Sequence, residues 1–473
     1  MLAIVVGAAV VVGGGLGAMF ALKNRAGEDA AKQSENQSNS QGTSQSETGT
    51  KPSQSSSSPS AVDSGTMGGT PGASGFKGNS SAAWPQFRGP NRDAKSTETG
   101  LLKQWPSSGP RLLWKAEGLG RGYSSVSVAG GMVVTMGDMS DRSSKVHAID
   151  EASGKMLWSS SQVGKTGGQY DGTKSTPAID VANGKLYALG QFGDFVCLNT
   201  SDGSEVWRKN LESDFGGKGS RWNYAESPLL DGDRVVVSPG GRQGVVVAVD
   251  KGSGSKLWQS RQFAEEVQYV STVPSMLGGR RTYVQMTQKT LAGIDAQSGS
   301  LVWRIPRAGK TAVIPSPVIY NDIVFVTSGY NVGCNAFQIA NQGGRLTTRQ
   351  LYANKDLVNH HGGVVLVDKY VYGHSDRGGW KCMDITNGRV MWQNQGVGKG
   401  SVVYVDGHLI CRSETGSGKI ALVEASPSAY REKGRFNQPD RSNRNCWAHP
   451  VVANGKLFLR DGDLLLCYDL KNS

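Results

Sequence analysis

The chain has 473 residues, 65 of them glycine, with an apolar share of 37% and a formal charge of +12 from 51 basic and 39 acidic side chains. That size allows two or three domains, and abundant glycine with few apolar residues fits a turn-rich β protein joined to unstructured chain. The basic balance permits attraction to polyanions without establishing it, and the six cysteines form no CxxC pair, so a zinc ribbon, a thioredoxin-like motif and a CxxCH haem site are all unsupported.

Residues 2–22, "LAIVVGAAVVVGGGLGAMFAL", are uncharged. A spanning helix needs roughly 20 such residues, whereas a cleaved secretory core is about 7–15 residues behind a basic start. No Lys or Arg precedes the run, so a retained single-pass anchor is expected. Lys23 and Arg25 follow it, and on the positive-inside rule they would leave the bulk of the chain in the cytoplasm. This conflicts with the extracytoplasmic, periplasmic-side placement expected from the resemblance described below. Residues 23–83 are rich in Ser, Gln and Gly and cannot bury enough apolar area to offset ordering. They are expected to be a disordered linker with a reach of about 40–45 Å. Residues 84–110 are expected to be a leader packed on the domain that follows.

From residue 111 the sequence repeats. "AIDEASGKMLW" (148–158) returns as "CLNTSDGSEVW", "AVDKGSGSKLW", "GIDAQSGSLVW" and "CMDITNGRVMW", with Gly seventh, Trp eleventh and a small residue first in every copy. Each copy is a strand, a turn tightened by Gly and a strand ending on Trp. Two alternating apolar runs precede it, as in "PAIDVANGKLYALG". Four antiparallel strands repeated every 40–50 residues or so are propeller blades. Trp114, Trp158, Trp207, Trp258, Trp303 and Trp392 are spaced by 44, 49, 51, 45 and 89 residues. The double gap marks a blade without Trp, filled by "NAFQIANQGGRLTTRQLY" (335–352), and one further period reaches Phe436. The last copy, "CYDL" (467–470), lacks its Trp strand, and "RLLWKA" (111–116) supplies one. The expected fold is all-β: an eight-bladed propeller spanning 111–473, closed by pairing of its terminal strands and carried behind an N-terminal transmembrane helix. The expected blade-opening positions are Ser125, Thr176, Ser227, Val273, Ser316, Gly362, Ser401 and His449. The six Trp are the expected docking residues between blades. The small first position explains Cys197, Cys382 and Cys467 as inert packing residues.

The line A-x-D-x-x-x-G-x-x-x-W resembles the tryptophan-docking motif of pyrroloquinoline quinone (PQQ) repeat propellers, over residues 111–472. Within that superfamily the chain is similar to the BamB-like group and, through "WPQFRGPNRD", "SRWNYAESP", "NHHGGVVL" and "QPDRSNRNCWAHP", to membrane-attached members of planctomycete type. Two functions follow from the resemblance. The first is a membrane-tethered, non-catalytic module for protein or envelope partners, of the outer-membrane assembly type. The second is a PQQ-dependent quinoprotein dehydrogenase oxidising alcohols, as polyvinyl-alcohol dehydrogenases do, or sugars. The quinoprotein enzymes hold PQQ and Ca²⁺ with Glu, Asn and Asp, often beside two adjacent Cys; this chain has no adjacent Cys pair.

The blade-opening loops converge on one face and carry aromatics beside cations, which suits a small anionic ligand at the mouth. Arg221, Trp222, Glu226, Trp447 and His449 are the candidate cofactor-binding residues, with Glu226 as the first candidate calcium ligand and Trp222 or Trp447 as the stacking surface. A wet, polar mouth with packing aromatics is the plainer alternative. No catalytic residue is assigned. No metal site is expected either: on a strand His360 and His361 would point to opposite faces, and they could share a metal only if they lay in a loop. Nucleic acid is not an expected partner, because no binding motif accompanies the basic stretch at 431–444.

Overall fold

The computed structural model describes residues 83–170, 172–442 and 444–471. The expected anchor (2–22) and, apart from Ala83, the expected linker (23–83) lie outside the described residues. Among those described, no helix is long and apolar enough to cross a membrane.

Eight antiparallel sheets follow one another in the chain, each built on four strands. The alternation of apolar and polar residues and the Gly-bearing turns leave each blade two apolar faces, which only neighbouring blades can cover. Blade 1 begins at Ser127–Ala129 and blade 7 ends at Glu432–Asn437. The first strands of successive blades touch around a central axis. Blade 8 contains Val451–Ala453, Lys456–Asp461 and Leu464–Asp469, and its outer strand is Leu112–Ala116 from the start of the domain. Trp114 lies opposite Cys467, and Arg111 donates to Asp469 at 2.8 Å. The ring is therefore closed by hydrogen bonds between its chain ends, which leaves no open sheet edge at the seam.

The repeated Gly and Trp meet across the seams. Each motif Gly adopts the left-handed conformation, with φ of 74° at Gly154 and 69° at Gly254. Gly154, Gly203, Gly254 and Gly299 also receive the Trp of the preceding blade: a Cβ on Gly154 would stand 2.6 Å from Trp114, and one on Gly254 would stand 2.9 Å from Trp207. The Trp114, Trp158, Trp207 and Trp392 indoles donate to main-chain oxygens of the next blade, at 3.1, 2.9, 3.2 and 2.8 Å. Cys197 and Cys382 lie opposite Trp207 and Trp392 across their hairpins, and Cys467 lies opposite Trp114 across the chain-end pairing. All six cysteines are buried and unpaired.

In the blade without Trp, Tyr352 takes the place: it lies opposite Ala336, packs under Gly388 and donates to the Ile385 oxygen at 2.9 Å. Blade 7 departs from the expectation at Phe436. The bulge that precedes the docking residue in other blades lies between Leu422 and Val423, which puts Gly434 at the Trp position. The indole comes instead from the leader. Trp105 lies against Gly434, its amide donates to the Lys433 oxygen at 2.9 Å, and it meets Phe436 edge-on with ring centroids 5.6 Å apart.

The inner ends of blades 1 to 4 are joined by a ladder of hydroxyls. The amides of Ser125, Thr176 and Ser227 donate to the side chains of Thr176, Ser227 and Ser271 at 3.1, 2.9 and 3.0 Å. The fourth opener is thus Ser271 rather than Val273, which already begins its blade's inner strand.

The leader crosses the channel. Trp84 pairs with Val128 of blade 1, the Ile179 amide of blade 2 donates to the Pro85 oxygen, and the Leu230 amide of blade 3 donates to Gln86. On the far side, Arg88 donates to the Val364 oxygen of blade 6 at 2.5 Å, and Ala94 and Ser96 bracket Tyr404 of blade 7. Arg88, Arg92 and Ala94 all have left-handed backbones, with φ of 63°, 57° and 59°. Side chains other than Gly, Asn and Asp rarely adopt this geometry, and here the surrounding blades hold it in place.

Candidate functional site

The loops that lead into the inner strands, together with turns of blades 5 and 7, surround a cavity of about 560 Å³ on the axis, with Phe87 and Arg88 of the leader among its lining. Its wall is a chain of aromatic rings drawn from seven blades. Trp222 lies 5.9 Å from Tyr269 and 6.0 Å from Tyr170. Tyr170 is 5.7 Å from Trp447. Trp447 is stacked on His361 at 4.1 Å and meets Tyr123 at 4.6 Å. His361 contacts His360 at 3.7 Å, and His360 meets Tyr330 edge-on at 4.6 Å.

Blade 7 contributes charge instead. The Lys399 ammonium lies 2.8 Å from His360 Nδ1, 3.1 Å from Asp376 and 3.8 Å from Glu414. An ammonium can only donate, so His360 Nδ1 accepts and its proton sits on Nε2. Burial, with the charges of His361 and Lys399 adding to it, pushes His360 down to about 3, so the ring is neutral at pH 7. His449 Nε2 lies 3.0 Å from the His361 carbonyl. That fixes its proton on Nε2 and leaves Nδ1 an acceptor. Burial holds His449 at about 4.

Of the candidate residues, Trp222, Trp447 and His449 line the cavity. Arg221 sits over the Trp222 ring at 5.4 Å, a cation–π contact. Trp447 is already engaged by His361 and Tyr123. Glu226 lies behind the wall, 1% exposed. It accepts from the Ser238 amide, its Oε2 has no hydrogen-bond partner among the described residues, and the charge that bears on it is that of Arg92 in the leader. Burial lifts its carboxyl to about 7, against the pull of Ser238 and Arg92. Arg92, equally buried, donates to the Ser227 oxygen at 2.7 Å.

His360 and His361 lie in a loop and not on a strand, so both rings face the mouth instead of opposite sides. Sequence reasoning missed Phe87, Arg88, Tyr330, Asp376 and Glu414. The last three sit in turns between the second and third strands of their blades, and the inner-strand loops alone had been expected to form the mouth. A propeller strand that starts at the mouth returns there one strand later, and that rule would have pointed to these turns.

A family model described as outer membrane protein assembly factor BamB matches residues 142–394. A curated BamB from Moranella endobia (strain PCIT) is 23% identical over 292 residues, covering 57% of this chain and 70% of the relative. Among solved structures, BamB from Moraxella catarrhalis is similar with a TM-score of 0.57 at 14% identity, covering 76% of this chain and 98% of that one. The quinohemoprotein alcohol dehydrogenase from Comamonas testosteroni is similar with a TM-score of 0.60 at 10% identity, covering 83% and 81%. These likenesses are of fold and favour neither function. The repeat, the closed eight-bladed ring and the extent of the family match together show that the chain belongs to the BamB family of PQQ-type repeat propellers.

Proposed function

We propose that this protein is a membrane-tethered, extracytoplasmic and non-catalytic propeller that works through protein or envelope partners, as an outer membrane protein assembly factor. The observation that carries the reading is the fate of Glu226. A calcium–quinone centre needs several oxygen ligands facing one ion. Glu226 instead faces Ser238 and Arg92, sealed beneath the leader. The lining carboxylate, Glu414, is held near Lys399 and His361, each at 3.8 Å. Among the described residues, no group of three His, Cys, Asp or Glu is placed to hold a metal. The residues present therefore do not fit a calcium–PQQ pair.

The test has two arms. Loss of the gene should lower the amount of folded β-barrel protein in the outer membrane, and a Glu226→Gln copy should restore it. Dye-linked alcohol oxidation by the purified protein with PQQ and Ca²⁺, abolished by Glu226→Gln, would establish the dehydrogenase reading instead. Carbonate extraction and protease access in intact cells and spheroplasts test the anchor and its orientation.

A further inference from the structure

We infer that the mouth cavity binds the end of a neutral saccharide chain, one to two sugar rings deep. The first reason is the wall. A pyranose presents flat C–H faces and a rim of hydroxyls, and aromatic rings set around an axis offer faces and edges to the apolar part at little entropic cost. Tyr170, Trp222, Tyr269 and Tyr330 provide such a surface from four different blades.

The second reason is charge. Lys399 is engaged by Asp376, Glu414 and His360. Arg88 donates to main-chain oxygens of Val364 and Arg92. Lys174 lies 3.5 Å from Gln191 Oε1. An anionic ligand would have to draw these cations away from partners they already hold, whereas a neutral polyol would not. The third reason is polar balance. Ser125, Ser271, Ser316 and Asn445 line the cavity beside the neutral rings of His360 and His449. Hydroxyls, which donate and accept alike, match such a mixed set.

The last reason is depth. With Phe87 and Arg88 of the leader in its lining, the channel does not run through, so a chain enters by its end. A volume of about 560 Å³ lies within the usual range of small-molecule sites, roughly 300–1,000 Å³.

This inference goes beyond the assembly-factor reading and does not depend on it. The test uses the full-length protein in detergent, titrated with maltose, cellobiose and chitobiose, their uronic-acid counterparts, and PQQ with Ca²⁺. Binding is followed by tryptophan fluorescence and saturation-transfer NMR. The expected result is saturable binding of at least one neutral disaccharide, unchanged between low and high salt, as expected where no charges are paired. Tyr170→Ala, at a half-exposed loop residue outside the core, and Trp222→Ala should each weaken it about tenfold or more. Leu257→Ala on the outer rim should leave it unchanged. The inference is overturned if no neutral sugar binds up to tens of millimolar, if only the acidic sugars or PQQ bind and do so salt-dependently, or if Tyr170→Ala, verified as folded, binds as the wild type does. Envelope assembly that survives Tyr170→Ala would separate the two readings.

Discussion

The seam between blades 2 and 3 and the seam between blades 7 and 8 solve one packing problem with different pieces of chain. In the first, Trp207 of blade 2 packs on Gly254 of blade 3 and donates to the Lys251 oxygen, all within one stretch of repeat. In the second, blade 7 has Gly434 where the indole belongs, and Trp105 of the leader fills the slot from outside the repeat. The difference teaches that a docking slot is defined by its shape and not by chain proximity. The leader is a structural part of the ring, because it crosses the channel, fills a seam and runs directly into the strand Leu112–Ala116 that closes blade 8.

The hardest blow to that comparison is loss of residues 465–473. These include Leu465, Leu466 and Cys467, each 0% exposed, and they form the strand to which Leu112–Ala116 pairs. Cooperative unfolding of the protein should be lost in denaturant titrations. Trp114→Ala should cost about 3–5 kcal/mol, comparable to Trp258→Ala in a mid-chain blade. Near-silence of both the deletion and Trp114→Ala, with Trp258→Ala damaging, would show that the chain ends do not share a blade.

Trp105→Ala, removing an indole 4% exposed, should also cost about 3–5 kcal/mol and no less than the partly exposed Trp207→Ala, read from midpoints at constant slope. A much smaller loss would mean that the leader merely rests on the seam. Tyr352→Phe sharpens the comparison at the other substituted seam. It keeps the packing and removes only the bond to Ile385, for about 0.5–1.5 kcal/mol.

The channel gives the subtlest handle, through pH. The Glu226 carboxyl is raised from 4.5 to about 7, so the folded state binds its proton more tightly than the unfolded chain. Its contribution is fully present below about 4.5 and is lost as pH rises through about 7. Glu226→Gln should remove that fall. His147 and His374 run the opposite way: burial depresses each from 6.5 to about 4, so stability falls as pH drops from about 6.5 towards 4. Thermal or chemical melts of both proteins from pH 4 to 9 should show a maximum that moves to higher pH in Glu226→Gln.

The candidate site was only partly legible. Trp222, Trp447 and His449 could be placed at the mouth because the blade period counts out the loops. Glu226 sits at the same period, yet its side chain turns away to Ser238 and Arg92, an orientation no spacing reveals. Tyr330 has no signature at all, since it lies in a turn whose length varies between blades.

The sequence by itself determined the repeat, the blade count and the pairing of the chain ends. Glycine at a left-handed turn and tryptophan four residues later fix register locally, and the pattern recurs often enough to be counted. Only the tertiary structure decided that Trp105 completes the seam at blade 7, that Ser271 carries the fourth rung of the hydroxyl ladder, and that Arg88 and Arg92 cross the channel. Each depends on which segments meet after the ring has closed, and residues far apart in the chain carry no local periodicity that announces their contact.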